Sequence, residues 1–142
     1  MIQRIPVTAL ALETSADGVA RGGASVFTNA LRPGTLSCLI TASMLTLGVK
    51  ARFAWQATVD GVNWVEVSGG VSTPNVYTST SGDGVAPIVR QRVMYLDWQG
   101  FTSTAFQAVR MTVTLSRTGV GPVPAPSDVA GARYFYVPAG KV

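Results

Sequence analysis

Residues 53–67 read Phe-Ala-Trp-Gln-Ala-Thr-Val-Asp-Gly-Val-Asn-Trp-Val-Glu-Val, and this stretch leaves the chain few choices. Phe53, Trp55, Ala57 and Val59 alternate with Ala54, Gln56 and Thr58, a period of two that gathers the large apolar groups on one face of a strand. Asp60-Gly61 supplies a reversal, because glycine takes a positive φ without a Cβ clash and aspartate tolerates it. Val62, Trp64, Val65 and Val67 start a return strand. A β-hairpin follows, with Trp55 and Trp64 placed to meet across the ladder. Two roles fit these tryptophans: hydrophobic core, or an exposed aromatic platform for a sugar or a protein.

The rest of the chain repeats the strand signal. Val109, Met111, Val113 and Leu115 alternate with Ala108, Arg110, Thr112, Thr114 and Ser116, which predicts a half-buried antiparallel strand. Residues 36–47 are nearly continuous in apolar and hydroxyl residues and predict a long strand buried on both faces; Cys38, Thr41, Ser43 and Thr46 disfavour a helix. Residues 24–28, 75–78, 85–89, 93–98 and 133–137 add shorter strand segments, with Met94, Leu96 and Trp98 on one side of theirs. Residues 13–23 read as a loop. So do residues 68–84, a stretch rich in Gly, Ser and Thr whose length points to function or disorder. Pro6 argues against a central strand position for residues 1–12, which read as a first strand or an extended arm. Pro122, Pro124 and Pro126 make an extended linker into 133–137, a strand that either folds back onto its own sheet or pairs with a neighbour's open edge.

Eight or so short strands between turn signals predict a single all-β domain over residues 1–142, an antiparallel β-sandwich resembling a jelly roll. Its core is expected over 13–118, with an N-terminal arm over 1–12 and a Pro-rich C-terminal extension over 119–142.

Composition then limits the chemistry. The 142 residues contain no histidine and one cysteine, Cys38, so the usual zinc spacings, Ser-His-Asp and Cys-His arrangements are all impossible. The seven carboxylates are scattered, Asp60 and Asp83 sit in glycine turns, and no acidic loop has calcium spacing. No Gly-rich stretch ends as a phosphate loop does. No enzyme, cofactor or metal is expected. Charged residues are only 13% of the chain, which suggests a surface covered by other chains. The net charge of +4 comes mainly from nine arginines spread singly along the sequence rather than in a stripe. That spread fits protein interfaces better than nucleic acid. One cysteine, no convincing signal peptide and no apolar run long enough to span a bilayer predict a reducing, soluble setting without a membrane anchor.

The stretch from Phe53 to Trp64 resembles the aromatic-x-aromatic…Asp-Gly-x-x-Trp hairpin of small β proteins from tailed bacteriophage particles. Similar hairpins occur in carbohydrate-binding β-sandwiches. Few charges, Thr/Ser/Val/Ala-rich strands and the absence of a cysteine framework are similar to the first group. The resemblance implies a virion structural protein, a capsid decoration (cement) protein that oligomerises on the shell and clamps neighbouring copies of the major capsid protein. It also implies assembly in the host cytoplasm, with residues 1–12 and 119–142 as contact arms. Contacts are then expected at Arg4, Pro6, Arg21, Arg32, Arg90, Arg92, Arg133, Tyr134 and Tyr136, with Trp55, Asp60, Gly61 and Trp64 forming the structural hairpin. The alternatives are a glycan-binding module that stacks sugars on Trp55, Trp64 or Trp98, and a low-copy tail or baseplate component.

Overall fold

The computed structural model describes residues 3–27, 34–67, 74–79, 88–97 and 107–138, with the backbone course alone for 3–9, 27, 34, 35, 88, 97 and 136–138. These residues form ten strands: β1 (Gln3–Glu13), β2 (Ala20–Gly22), β3 (Val26–Phe27), β4 (Gly34–Met44), β5 (Lys50–Thr58), β6 (Trp64–Glu66), β7 (Asn75–Thr78), β8 (Ile88–Asp97), β9 (Ala108–Ser116) and β10 (Val129–Pro138). One sheet, here sheet A, has the order β1-β10-β4-β8. In the other, sheet B, β9 and β5 lie at the centre; β2 and β3 both pair with β9, and β6 and β7 both pair with β5. Every pairing is antiparallel.

Because β2 and β3 share one partner, and β6 and β7 another, the ten strands occupy eight lanes. Numbered along the chain, the lanes run 1-8-3-6 in sheet A and 2-7-4-5 in sheet B. The pairs 1·8, 2·7, 3·6 and 4·5 are nested, as in one long hairpin rolled onto itself. That is the jelly-roll order. The outermost pair of the hairpin is β1 with β10, which brings the two ends of the chain side by side in one sheet.

Period-two patterning explains which face each strand buries. On β5, Phe53, Trp55 and Ala57 are buried; on β9, Val109, Met111, Val113 and Leu115; on β8, Met94 and Leu96. On β4 the inward set is Leu36, Cys38, Ile40, Ala42 and Met44, while Ser37, Leu39, Thr41 and Ser43 are half-buried. Burying one such large side chain contributes about 1.5–3 kcal/mol. A one-residue slip of β9 would turn all four of its apolar side chains outward, so its register is strongly specified.

The predicted hairpin forms: Ala57 lies opposite Val65 and Thr58 opposite Trp64. Asp60 Oδ1 accepts the amide N–H of Val62 (2.8 Å) and of Asn63 (2.7 Å), and these bonds hold its carboxyl well below the usual carboxylate range. Gly61 adopts φ +81°, where a side chain is strained. The two tryptophans do not meet. Trp64 lies opposite Thr58 rather than Ala57, so it falls on the outer face, whereas Trp55 points into the core and stacks on Tyr134 with ring centroids 6.2 Å apart.

Several expectations are corrected by the lane order. The segments read as extended arms are strands of the sandwich: β1 pairs with β10, and β10 lies between β1 and β4 as an interior strand. The aromatic segment folds back onto its own sheet, since ten successive residues of β10 pair with β4 from Val129↔Ser43 to Pro138↔Gly34. Pro6 is tolerated because β1 is an edge strand whose pairing is irregular between Gln3 and Val7. Residues 20–22, read as loop, form β2. The strand over 36–47 is buried on one face rather than two, because the other face of sheet A is covered by nothing among the described residues. Residues 75–78 form β7 as expected, while the remainder of the 68–84 loop, apart from Pro74 and Ser79, lies outside the described residues.

Three polar side chains fasten the lanes to one another. The Tyr134 hydroxyl crosses from β10 to sheet B, where it accepts the Met111 N–H at 2.8 Å and donates to the Ala24 carbonyl at 2.9 Å. It thereby fills the gap that separates β2 from β3 along β9. Burial pushes its pKa up. Asp128 accepts the N–H groups of Leu45 (2.7 Å), Thr46 (2.9 Å) and Ala125 (2.8 Å), tying the 45–46 turn to the loop before β10. Arg21 of β2 reaches sheet A and donates to the carbonyl oxygens of Glu13 (2.9 Å) and Ala130 (2.6 Å) and to Glu13 Oε1 (2.8 Å).

Candidate protein-interaction site

The outer face of sheet A is built by the odd-numbered positions of β4, β8 and β10, together with Leu12 of β1. Alternation turns these side chains away from the core. Leu12, Val89, Val93 and Tyr95 are 51–58% exposed, and Leu39 and Phe135 are half-buried among them. An open groove of about 370 Å³ crosses this face, with Leu12, Leu39, Gln91 and Arg133 in its lining. Gly131 forms part of its floor. A Cβ there would stand 2.8 Å from the Leu10 carbonyl oxygen and 3.0 Å from the Leu12 Cα, so only glycine lets β1 cross so close to β10. Gln91 Nε2 donates to Thr41 Oγ1 at 3.2 Å.

Sheet A carries both signs of charge: Arg90, Arg92 and Arg133, with Glu13 at the end of β1 and Asp97 at the end of β8. Arg133 is exposed on β10 and lines the groove; Arg90 and Arg92 are exposed on the edge strand β8, where Arg92 Nη1 donates to Asn75 Oδ1 at 3.0 Å. Among the described residues none of the three forms an ion pair. The carboxylates with described side chains are engaged with other groups. Glu13 pairs with Arg21 (2.8 Å), Glu66 with Arg52 (2.8 Å) and Asp17 with Arg117 (3.1 Å). Asp60 and Asp128 are held by backbone N–H groups. The two partly exposed partners of the Arg52–Glu66 pair shift in opposite directions, Arg52 up and Glu66 down, chiefly through their mutual hydrogen bonds. Such a pair contributes little to stability.

The outer face of sheet B is different. Arg110 lies with its guanidinium carbon 4.0 Å from the centre of the Trp64 ring, a cation–π contact, and donates to Gln56 Oε1 at 3.1 Å. Beside it stands the Arg52–Glu66 pair. This face is closed by its own polar contacts, whereas the outer face of sheet A is not.

The residues expected to make contacts therefore scatter. Arg133 lies on the outer face of sheet A, whereas Arg90 and Arg92 follow the alternation of Met94 and Leu96 on the edge strand β8 and stand on its other side, where Arg92 reaches Asn75 of sheet B. Arg21, with its side chain only 15% exposed, is an internal clamp, and Tyr134 is in the core. Arg4 and Pro6 lie on β1 and Tyr136 on β10 by backbone position; Arg32 lies outside the described residues. Of the three tryptophans, Trp55 is 1% exposed and cannot stack a sugar, Trp64 carries Arg110 on its ring, and Trp98 lies outside the described residues. Sequence reasoning missed the aliphatic surface. Leu39 falls in a strand expected to be buried on both faces and Leu12 in an expected arm; the lane order shows that their sheet has one face that no described residue covers.

For chemistry, the described residues hold no group of three or more Cys, Asp or Glu able to bind a metal ion. Cys38 is buried, and burial pushes its thiol pKa up, away from the reactive thiolate. No helix among the described residues is long and apolar enough to cross a membrane. No protein-family model matches this chain, and no characterised protein matches it in sequence.

Proposed function

We propose that this protein is a non-enzymatic structural binding module, a virion protein of the capsid decoration (cement) type that attaches to a shell of repeated subunits. The observation that carries the reading is the aliphatic outer face of sheet A, which no described residue covers, on a sandwich whose described strands are fastened to one another. A rigid core with one uncovered, weakly charged face suits docking, and many weak contacts repeated by symmetry sum through avidity. The jelly-roll order is also used by capsid and lectin domains, which supports the reading by analogy only. Attachment would proceed through the sheet face rather than through terminal arms, because β1 and β10 are built into the sandwich.

The test is copy number. Particles are purified from the source and this chain is quantified by mass spectrometry against the most abundant shell protein. One copy per shell subunit, or a simple fraction of that, is the expected result. A handful of copies per particle would move the protein to the tail or baseplate, and absence from particles would refute the virion role.

A further inference from the structure

We propose that residues 3–9 of β1 are a displaceable guard over the edge of β10, and that the edge they cover accepts an extended strand donated by a different chain. The inference goes beyond the docking role proposed above: it concerns an edge of sheet A rather than its outer face, and it needs no virion setting.

The pairing of β1 carries the argument. Ten steps along β1, from Gln3 to Glu13, run beside only six along β10, from Tyr136 to Ala130. The surplus falls in three breaks of register, between Gln3 and Val7, between Thr8 and Leu10, and between Leu10 and Glu13. Residues in such breaks are left out of the ladder. Pro6 lies in the widest break and has no N–H to donate. The other side of β10 is different: ten successive residues pair with β4 in unbroken register. Tyr134 also ties β10 to the Met111 N–H and the Ala24 carbonyl of sheet B. Lifting residues 3–9 therefore leaves β10 in place, with its edge preorganised for a new strand.

The guard has a firm root. Leu10 is buried, Gly131 lets the backbone of Leu10 and Leu12 lie against β10, and Arg21 donates to the carbonyl oxygens of Ala11 (3.3 Å) and Glu13 (2.9 Å). The Thr14 hydroxyl donates to the Asp128 carbonyl at 2.8 Å. Opening stops at this root, so it breaks only the pairs Gln3↔Tyr136, Val7↔Tyr134 and Thr8↔Arg133. Local openings of this kind cost less than global unfolding. While closed, a bulged strand with a proline keeps the sheet from pairing with strangers.

The misfit also selects the occupant. Residues 3–9 of a second copy carry the same Pro6 and the same surplus length, so exchanging them improves nothing. A proline-free segment of another chain that keeps one register completes the ladder that β1 interrupts, with main-chain bonds supplying affinity. Alternation on β10 sets its side chains. The residue opposite Tyr134 faces the core and suits an apolar group; the residue opposite Arg133 faces outward and suits a polar one.

The test uses the full-length chain. Native-state hydrogen exchange should show the amides of residues 3–9 opening ahead of those that join β10 to β4. A capped octapeptide of alternating Val and Thr is the probe, and it should shift amides of β10 while residues 3–9 take on free-chain shifts. Gln3→Cys with Tyr136→Cys, at positions opposite each other, supplies a reversible lock. Oxidation should weaken peptide binding about tenfold, and reduction of the same protein should restore it. Hydrogen exchange of the unaltered chain decides the opening even if the disulfide does not form. Residues 3–9 that exchange no faster than the β10–β4 pairs, peptide shifts that are absent or centred elsewhere, or binding indifferent to the lock would overturn the proposal. So would a peptide of this chain's own residues 1–9 that binds as tightly as the probe, or an oligomer in sedimentation that the lock dissociates, because either makes a second copy the donor. Particle counting is independent: absence from particles with peptide binding intact removes only the virion role, and abundance in particles without peptide binding removes only this edge.

Discussion

Replacing Tyr134 by Phe tests the reasoning about the sandwich directly, because it removes one oxygen and leaves the ring. The ring stacks on Trp55 with an interplanar angle of 13°, and that contact and its buried area survive the change. What disappears is the bridge from β10 to the Met111 N–H (2.8 Å) and the Ala24 carbonyl (2.9 Å). Met111 is fully buried, so its N–H is left without water, a loss of about 1–3 kcal/mol. Ala24 is exposed, and water can replace the hydroxyl there at a cost of about 0.5 kcal/mol. The sum is about 1.5–3.5 kcal/mol, which for a chain of this size lowers Tm by roughly 5–10 °C. Urea unfolding should show a lower midpoint with an unchanged slope, since the surface exposed on unfolding is the same. Amide exchange of Met111 and of β2 and β3 should accelerate ahead of the rest of sheet B. Tyr134→Ala, which also removes the ring, should cost about 3–5 kcal/mol more. A Phe variant within about 0.5 kcal/mol of the parent, with the Met111 amide still protected, would refute the claim that this hydroxyl joins the two sheets.

Three further outcomes follow from the other fasteners. Burial raises the Asp128 pKa, but the Thr46 hydroxyl and the N–H groups of Ala125, Thr46 and Leu45 outweigh it, so the folded pKa lies below the unfolded value of about 3.9. Its stabilisation is therefore present above that unfolded value and is lost as pH falls through the folded pKa; Asp128→Asn should cost about 2–3 kcal/mol at pH 7 and flatten the acid limb of a stability–pH curve. Arg21→Met should cost about 1–3 kcal/mol and loosen β1 in hydrogen exchange, and Arg21→Lys should not restore protection because a single ammonium cannot span the carbonyls of Glu13 and Ala130. Gly131→Val should detach β1 from β10, seen as loss of amide protection over residues 3–13 with sheet B unaffected, because the added Cβ meets backbone at 2.8 Å rather than a movable side chain.

The sequence carried the strands whose burial pattern is local. Val109 to Leu115 and Phe53 to Ala57 alternate because one face is wet and the other dry, and that pattern survives in the chain itself. The Asp60-Gly61 turn is legible for the same reason, since its hydrogen bonds join residues two and three apart. The class of fold follows from such signals: all-β, with an interior filled by Trp55, Phe53 and Leu115.

Tertiary structure alone decided what each face meets. Rolling a nested hairpin brings Arg21 to Ala130 and Tyr134 to Ala24, pairs 109 and 110 residues apart that no local period encodes. The same roll makes the aromatic segment an interior strand instead of an arm, turns Trp64 away from Trp55, and leaves Leu12 and Val93 on a sheet face that no described residue covers. An apolar residue at the right period states that it wants a partner. Whether that partner is the opposite sheet or another molecule depends on lane order, which arises from pairings between distant parts of the chain.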